Sequence, residues 1–328
     1  MLWEHRTGLG GGLNWRVSRV GHGEKTYTLL NADSTKELHQ LTPESVDLVL
    51  TDIPYGIDLA DWDVLHSNTN SALGGQSPAQ KKMGSGFKRR GKPINGWSQA
   101  DLDRPREYQQ WCLSWVAPLL RALKPGASAF VFGGRRTIHR ALVAFEDAGF
   151  LLRDMLAWKK TAGHFRAQSL SKLYERQGNK DAACQWAGWR LGNLAPLFEP
   201  VAWLFKPYRI GGTIAQNVLE HGVGAMNIDA CRYEGKVPSN ILNYDFEKGE
   251  RGLHDAQKPT SLLRFLITLT TNEGQTVLDP FMGSGSTGVA ACQLGRRFIG
   301  IEIDRDFCRA AQDRLSGVLK QAQMRLFG

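Results

Sequence analysis

Residues 276–303 read Thr276-Val-Leu-Asp-Pro-Phe-Met-Gly-Ser-Gly-Ser-Thr287-Gly-Val-Ala-Ala-Cys-Gln-Leu-Gly-Arg-Arg-Phe-Ile-Gly-Ile-Glu-Ile303. An apolar strand pattern, Thr276 to Leu278, runs into a glycine loop. A helical pattern, Thr287 to Leu294, follows directly, and a second apolar strand runs from Arg297 to Ile303. Gly283 and Gly285 let the backbone turn tightly and come close to a ligand. The start of the helix presents N–H groups that have no partner within it. Glu302 closes the second strand ~20 residues beyond the loop, where a carboxylate can accept hydrogen bonds from two ribose hydroxyls. This arrangement suits any nucleoside ligand, a nicotinamide cofactor included.

The same alternation continues outward. Downstream, Arg305 to Met324 has the pattern of a closing amphipathic helix, and upstream Leu262 to Leu269 reads as another helix. In the N-terminal half, Thr26 to Leu30 and Val46 to Thr51 read as strands, the second of them buried. A helix from Pro105, a Lys124-Pro125-Gly126 turn, a strand from Ala127 to Phe132 and a helix from Ile138 to Ala148 follow, and Val201 to Phe205 reads as a further strand. Strands alternating with helices imply a mostly parallel α/β sheet covered on both faces.

The 328 residues, with 42% hydrophobic and 22% charged side chains, suit one large soluble α/β domain with an insertion or two smaller ones. The net charge of +9 favours a polyanionic partner. The five cysteines form no C-x-x-C pair and lack the spacing of a metal site, so they read as reduced thiols and no metal is expected. No apolar run approaches the ~20 residues of a membrane span. Residues 1–23 form an arm without a signal-peptide pattern. Residues 64–100 contain Lys81, Lys82, Lys88, Arg89, Arg90 and Lys92 among Gly, Ser, Asn and Gln, and read as a mobile basic loop. Residues 158–193 interleave basic and aromatic side chains, Lys159, Lys160 and Arg166 among them.

Asp52-Ile53-Pro54-Tyr55 closes the buried strand at 46–51, and ligands bind at the carboxyl ends of such strands. The tetrapeptide resembles the D-P-P-Y loop of the DNA amino-methyltransferases, with Ile53 in place of the first proline. Asp279-Pro280-Phe281 before Gly283 and Gly285 resembles that family's F-x-G-x-G cofactor loop, and His254-Asp-Ala-Gln-Lys-Pro259 resembles its H-x-x-x-K-P element. Catalytic loop first and cofactor loop last is the order of the β class, whose fold is a circularly permuted, Rossmann-like methyltransferase domain. The resemblance covers roughly residues 25–60, 105–160 and 250–316.

The resemblance implies S-adenosylmethionine as methyl donor and duplex DNA as substrate, with direct transfer to adenine N6. Cytosine N4 is the alternative, because members acting there more often have Ser at the position of Asp52. The absence of a Pro-Cys nucleophile argues against cytosine C5. The Asp52 carboxylate and Ile53 carbonyl would accept the two N–H groups of the exocyclic amine and localise its lone pair. Pro54 would keep the turn rigid and Tyr55 would stack a flipped base.

The cofactor contacts implied are Asp33, Asp52, Lys258, Asp279, Pro280, Phe281, Gly283, Ser284, Gly285, Ser286, Thr287, Glu302 and Asp304. Phe281 would pack beside the cofactor. Lys258 and the helix start near Thr260 would meet its carboxylate. The chain then divides into an arm at 1–23, a catalytic half at 24–157, a target-recognition region at 158–250 and a cofactor half at 251–328. A homodimer and a prokaryotic or phage cytoplasmic setting come with the resemblance. Three other readings stay open: an RNA or protein-glutamine methyltransferase, an idle DNA-binding homologue and, weakest, a nicotinamide oxidoreductase.

Overall fold

The computed structural model describes residues 3–4, 16–21, 24–56, 99–161, 163, 167–192, 194–247, 250 and 257–327. The basic residues Lys81, Lys82, Lys88, Arg89, Arg90, Lys92 and Arg166 lie outside them, as does most of the expected basic loop. In chain order the elements are β1 (Trp3–Glu4), β2 (Arg16–Gly21), β3 (Glu24–Asn31), α1 (Ser34–Glu37), β4 (Val46–Asp52), α2 (Gln99–Ala122) and β5 (Leu123–Phe132). Next come α3 (Ile138–Asp147), β6 (Leu151–Lys159), β7 (Ala167–Ser169), α4 (Leu170–Arg176), α5 (Lys180–Gln185), β8 (Arg190–Gly192), β9 (Phe198–Phe205), α6 (Ile214–His221) and β10 (Ile241–Asn243). The chain closes with α7 (Thr260–Thr270), β11 (Thr276–Asp279), α8 (Ser286–Gln293), β12 (Arg297–Glu302) and α9 (Arg305–Phe327).

The strands form a 10-stranded sheet ordered β1-β2-β3-β12-β11-β4-β5-β9-β6-β10. β3, β12, β11, β4 and β5 run parallel, and β9 runs antiparallel to both of its neighbours, β5 and β6. The two C-terminal strands are thus inserted between β3 and β4, which is the expected permutation. The loops after β4 and β11 emerge side by side at the carboxyl ends of adjacent strands, where an open α/β sheet binds its ligands.

Side chains alternate across the pleat into two cores. Leu48, Leu50, Phe130 and Val277 face α7, α8 and α9 through Leu262, Leu266, Ala290, Ala311 and Leu315. Val49, Ala129, Val131 and Leu278 face α2 and α3 through Trp115, Leu119, Ala141 and Phe145. β4 is buried along almost its whole length, as a strand covered on both faces must be. Truncating Leu48 or Leu50 to alanine would cost about 2–5 kcal/mol.

One buried carboxylate ties the two halves of the chain together. Asp47 accepts from Lys124 at 2.6 Å, from the Thr276 backbone N–H at 2.8 Å and from Gln275 Nε2 at 3.3 Å. These contacts fix β4, β5 and β11 against each other at the end opposite the ligand loops.

Several expectations shift. The Lys124-Pro125-Gly126 turn is a bulge inside β5, where pairing steps from Val46 with Leu123 to Leu48 with Ser128 and Gly126 takes φ +78°. α2 begins at Gln99, so Pro105 lies within the helix rather than at its start. β6 has no counterpart in the sequence reading, because Arg153 and Asp154 break its apolar run. Residues 16–21 of the N-terminal arm pair with β3 as a sheet strand. The stretch 158–250, expected to be the recognition region, is divided between two structures. β9 and β10 within it belong to the main sheet, while 167–192 builds a separate β7–β8 ribbon with α4 and α5.

Candidate active site

The catalytic loop leaves β4 with the Ile53 N–H bonded to Phe132 O at 3.1 Å, so its first residue is still held by the sheet. Pro54 offers its carbonyl to the hydroxyl of Tyr108, a fully buried residue of α2, at 2.5 Å. Gly56 follows at φ +66°, where a Cβ would lie 2.2 Å from the Tyr108 ring. Only glycine combines that backbone conformation with that approach.

Asp52 at the end of β4 meets Lys258, which Pro259 and α7 place across the loop. The Lys258 ammonium is buried, pairs with Asp52 Oδ2 and lies 2.9 Å from Glu199 Oε1. Glu199 near the start of β9 also accepts from Lys160 on Oε2 and from the Tyr55 hydroxyl on Oε1 at 3.3 Å. The aromatic rings of Phe132 and Trp158 lie 5.3 and 6.0 Å from the Lys258 ammonium. Four charged groups therefore alternate in sign from Asp52 through Lys258 and Glu199 to Lys160.

Burial pushes the Asp52 carboxyl up to about 7 against the pull of Lys258, and the Glu199 charge adds to the rise. Burial would raise Glu199 too, but Lys258 and Lys160 hold it down to about 2. Burial works against the Lys258 ammonium, yet the two carboxylates outweigh it and keep that group protonated. Asp52 Oδ1 is buried and has no hydrogen-bond partner among the described residues.

The second loop is held mostly by its own backbone and the adjoining strand. The Met282 N–H bonds to Ile301 O at 3.0 Å and the Gly285 N–H to Met282 O at 2.9 Å. Gly283 and Gly285 take φ +50° and +80°, and a Cβ on Gly285 would lie 2.7 Å from Ala311 Cβ in α9. Arg314 donates to Ser284 O at 2.6 Å and to Ser286 Oγ at 3.1 Å. Asp279 is buried and accepts from the Phe281 N–H at 3.1 Å, and burial pushes its carboxyl up to about 6. Thr287 lies buried in the first turn of α8.

Glu302 gives the test of a nucleoside ligand. Its Oε2 accepts from the Gly283 N–H at 2.9 Å and its Oε1 from the Asp304 N–H at 2.8 Å. A carboxylate has about four acceptor sites, so each oxygen retains capacity for one ribose hydroxyl. Burial pushes this carboxyl up to about 7. Ser34 Oγ donates to Pro280 O, which brings the start of α1 and its N-cap Asp33 onto the same loop. The donor set fits S-adenosylmethionine. Glu302 would hold the ribose, the 283–287 backbone would approach the methionine part, and Asp52 would face the methyl group.

Contacts within the chain engage several of the expected site residues. Lys258 pairs with Asp52 and Glu199, and the N–H of Thr260 is bonded to Glu250 Oε1 at 2.5 Å. Phe281 packs 5.7 and 5.0 Å from the rings of Trp111 and Trp115, because the loop lies against α2. Asp304 caps α9 by accepting from the N–H groups of Asp306 and Phe307. Lys160 is engaged by Glu199, whereas Lys159 is exposed. Glu199 and Tyr108 went unrecognised in the sequence. Glu199 is a lone carboxylate in an apolar strand and carries no motif, and Tyr108 reads as one more apolar helix position.

Among the described residues no cluster of metal-ligating side chains occurs, and no helix is long and apolar enough to cross a membrane. A family model described as DNA methylase, of the N6/N4 type, matches residues 46–313. The chain is 50% identical over 292 residues to the type II methyltransferase M.HindIII of Haemophilus influenzae, covering 88% of this chain and 94% of that protein. It is 26% identical to the type II methyltransferase M2.DpnII of Streptococcus pneumoniae, covering 91% and 93%.

Among solved structures it is similar to the PvuII cytosine-N4-specific DNA methyltransferase, with a TM-score of 0.56 at 18% identity over 88% of this chain and 86% of that one. It is also similar to M1.HpyAVI in complex with S-adenosylmethionine, with a TM-score of 0.52 at 18% identity over 88% and 98%. The permuted sheet, the Asp52 loop beside the glycine loop, and a match to most of the chain agree: this protein belongs to the N6/N4 family of DNA methylases, S-adenosylmethionine-dependent DNA amino-methyltransferases.

Proposed function

We propose that the chain methylates N6 of an adenine turned out of duplex DNA at a specific site. The observation that supports this is the asymmetry of Asp52. One carboxylate oxygen is held by Lys258 while the other, Oδ1, is buried and unpartnered among the described residues. A buried acceptor without a donor is costly, and one amine N–H would satisfy it. The Ile53 carbonyl is the second acceptor and the Tyr55 ring the stacking face. An amine so held presents its lone pair to the methyl group. Asp rather than Ser at position 52 favours adenine over cytosine.

Target recognition is assigned to the segment outside the main sheet between β6 and β9. There the β7–β8 ribbon, α4 and α5 carry Lys172, Arg176, Lys180 and Arg190, with Trp186 and Trp189 packed edge to face. Lys159 at its edge is a phosphate contact. The basic residues Lys81 to Lys92 and Arg166 are proposed to add backbone contacts, and a homodimer and a restriction–modification setting complete the reading.

Sequencing with detection of modified bases, on DNA from cells expressing the protein, tests the reaction. N6-methyladenine in one sequence context is the expected result, and N4-methylcytosine would replace adenine in the proposal. Asp52→Ala should remove the mark, a loss of at least about a thousandfold, with affinity for the methyl donor within about twofold. A retained mark would refute the role given to Asp52.

A further inference from the structure

Glu199 reaches both ends of the Asp52–Tyr55 loop, Tyr55 directly and Asp52 through Lys258, although it lies 144 residues from Tyr55 in the chain. Its Oε1 takes the Tyr55 hydroxyl and the Lys258 ammonium, and its Oε2 takes Lys160. Lys258 in turn holds Asp52 Oδ2. Without Glu199, a buried ammonium would cancel the charge of the one carboxylate that faces the amine.

That charge matters because of where positive charge goes in the reaction. S-adenosylmethionine supplies a methyl group from a sulfonium. The S–C bond breaks with its electron pair left on sulfur, and the amine lone pair forms the N–C bond. The positive charge thereby passes to the amine nitrogen. Its surplus proton is then released to Asp52 and on to water. A nearby uncompensated cation opposes each of these changes, and a full negative charge on Asp52 favours them.

We propose that Glu199 is a positioning residue for methyl transfer: it offsets the charge of Lys258, so that Asp52 stays a good acceptor for the amine and its proton, and it fixes the Tyr55 ring by the same carboxylate. This rests on the role of Asp52 proposed above. Lys160 balances Glu199 from its outer side, so the two residues act on Asp52 in opposite directions.

The test is the acid limb of the pH profile of kcat at saturating DNA and methyl donor, in wild type, Glu199→Gln and Lys160→Met. The Asp52 carboxyl is followed in parallel by 13C NMR in cofactor-free protein. Glu199→Gln keeps an acceptor for Tyr55 but loses the charge. It should lower kcat about tenfold, on the order of one pK unit of lost electrostatic stabilisation. It should also move the acid limb and the Asp52 titration to lower pH, with affinity for the methyl donor unchanged. Lys160→Met should move both to higher pH. Glu199→Asp, which keeps the charge, should leave the limb near its wild-type position.

A purely structural role would not produce opposite shifts. Unmoved limbs, or shifts in the same direction, overturn the proposal. Should Glu199→Gln not fold, Lys160→Met alone decides: an upward shift supports the proposal and an unmoved limb overturns it. Asp52→Ala separates the two levels. Activity in that variant refutes the reading of Asp52 itself, whereas an inactive Asp52→Ala with unmoved limbs refutes only the role of Glu199.

Discussion

The two loops that meet at the carboxyl edge of the sheet are built in opposite ways. The glycine loop after β11 is closed mainly by short-range bonds, with Ser34 reaching Pro280 from farther off: Met282 to the adjoining strand, Gly285 back to Met282, and Gly283 to Glu302 only 19 residues away. The catalytic loop after β4 is closed by side chains from distant elements. Tyr108 comes from 54 residues away, Glu199 from 144 and Lys258 from 206. The first is a local device that any strand–turn–helix can carry. The second exists only when the whole sheet is assembled, which suits a group whose charge must be set with care.

Substitution should expose the difference. Gly285→Val forces a β-branched residue into a left-handed conformation and drives its Cβ into Ala311. Stability should fall by about 2 kcal/mol or more in urea titrations, and affinity for the methyl donor about a hundredfold by calorimetry. A smaller and different effect is expected at the other loop. Gly56→Ala displaces the Tyr108 ring and with it the Pro54 carbonyl. Single-turnover rates should drop about tenfold with cofactor affinity nearly unchanged, because the reacting groups lose their alignment. If Gly56→Ala weakened the cofactor as strongly as Gly285→Val, the two loops would be one unit and the contrast would fail. Tyr108→Phe removes a single buried hydroxyl and should cost about 1–2 kcal/mol of stability, with a few-fold loss of rate.

The subtlest effect is in pH. Asp52, Asp279 and Glu302 have carboxyls raised from ordinary values of 3.8, 3.8 and 4.5 to about 7, 6 and 7. A raised carboxyl binds its proton more tightly in the folded chain than in the unfolded one. The stability that this contributes is complete below the ordinary values and is lost as pH climbs through the folded ones. Glu199, held down to about 2, acts the other way: its contribution is present above its ordinary 4.5 and lost as pH falls from there. The cofactor-free protein should therefore lose urea resistance between roughly pH 5 and 7. Ribose hydroxyls donating to Glu302 favour its ionised form, so saturating methyl donor should flatten this slope. A flat profile without the donor would show that these carboxyls are not strained.

The same contrast accounts for what the sequence made legible. The placement of Gly283, Gly285 and Glu302 is legible because it depends on spacing along one β-α-β unit. The fold class followed from the same periodicity, and the permutation from the order of the two loops. Asp52 and Tyr55 were found as types, but the charge state of Asp52 was not, since it depends on Glu199 and Lys258 meeting through β9 and α7. Lys258 stands out for its place before Pro259, but its pairing with Asp52 and Glu199 is not legible, because nothing local tells a lysine which carboxylate it will meet. Asp304 and Phe281 have contacts that the loop motif does not foretell, for a related reason. A capping turn and an aromatic cluster with Trp111 and Trp115 answer needs of packing that a loop motif does not record.

The insertion of β11 and β12 between β3 and β4 has a consequence for biosynthesis. β3 and β4 leave the ribosome early, separated only by α1 and its flanking turns, yet each has an open edge facing the gap that residues 276–302 will fill. Until those residues are made, neither the Asp47 clasp nor the methyl-donor site can form, and two apolar strand edges stay available for unwanted pairing. A chain arrested before that point would hold Asp52 and Tyr55 and still be inert. Activity is thereby confined to chains translated through the last strand of the sheet.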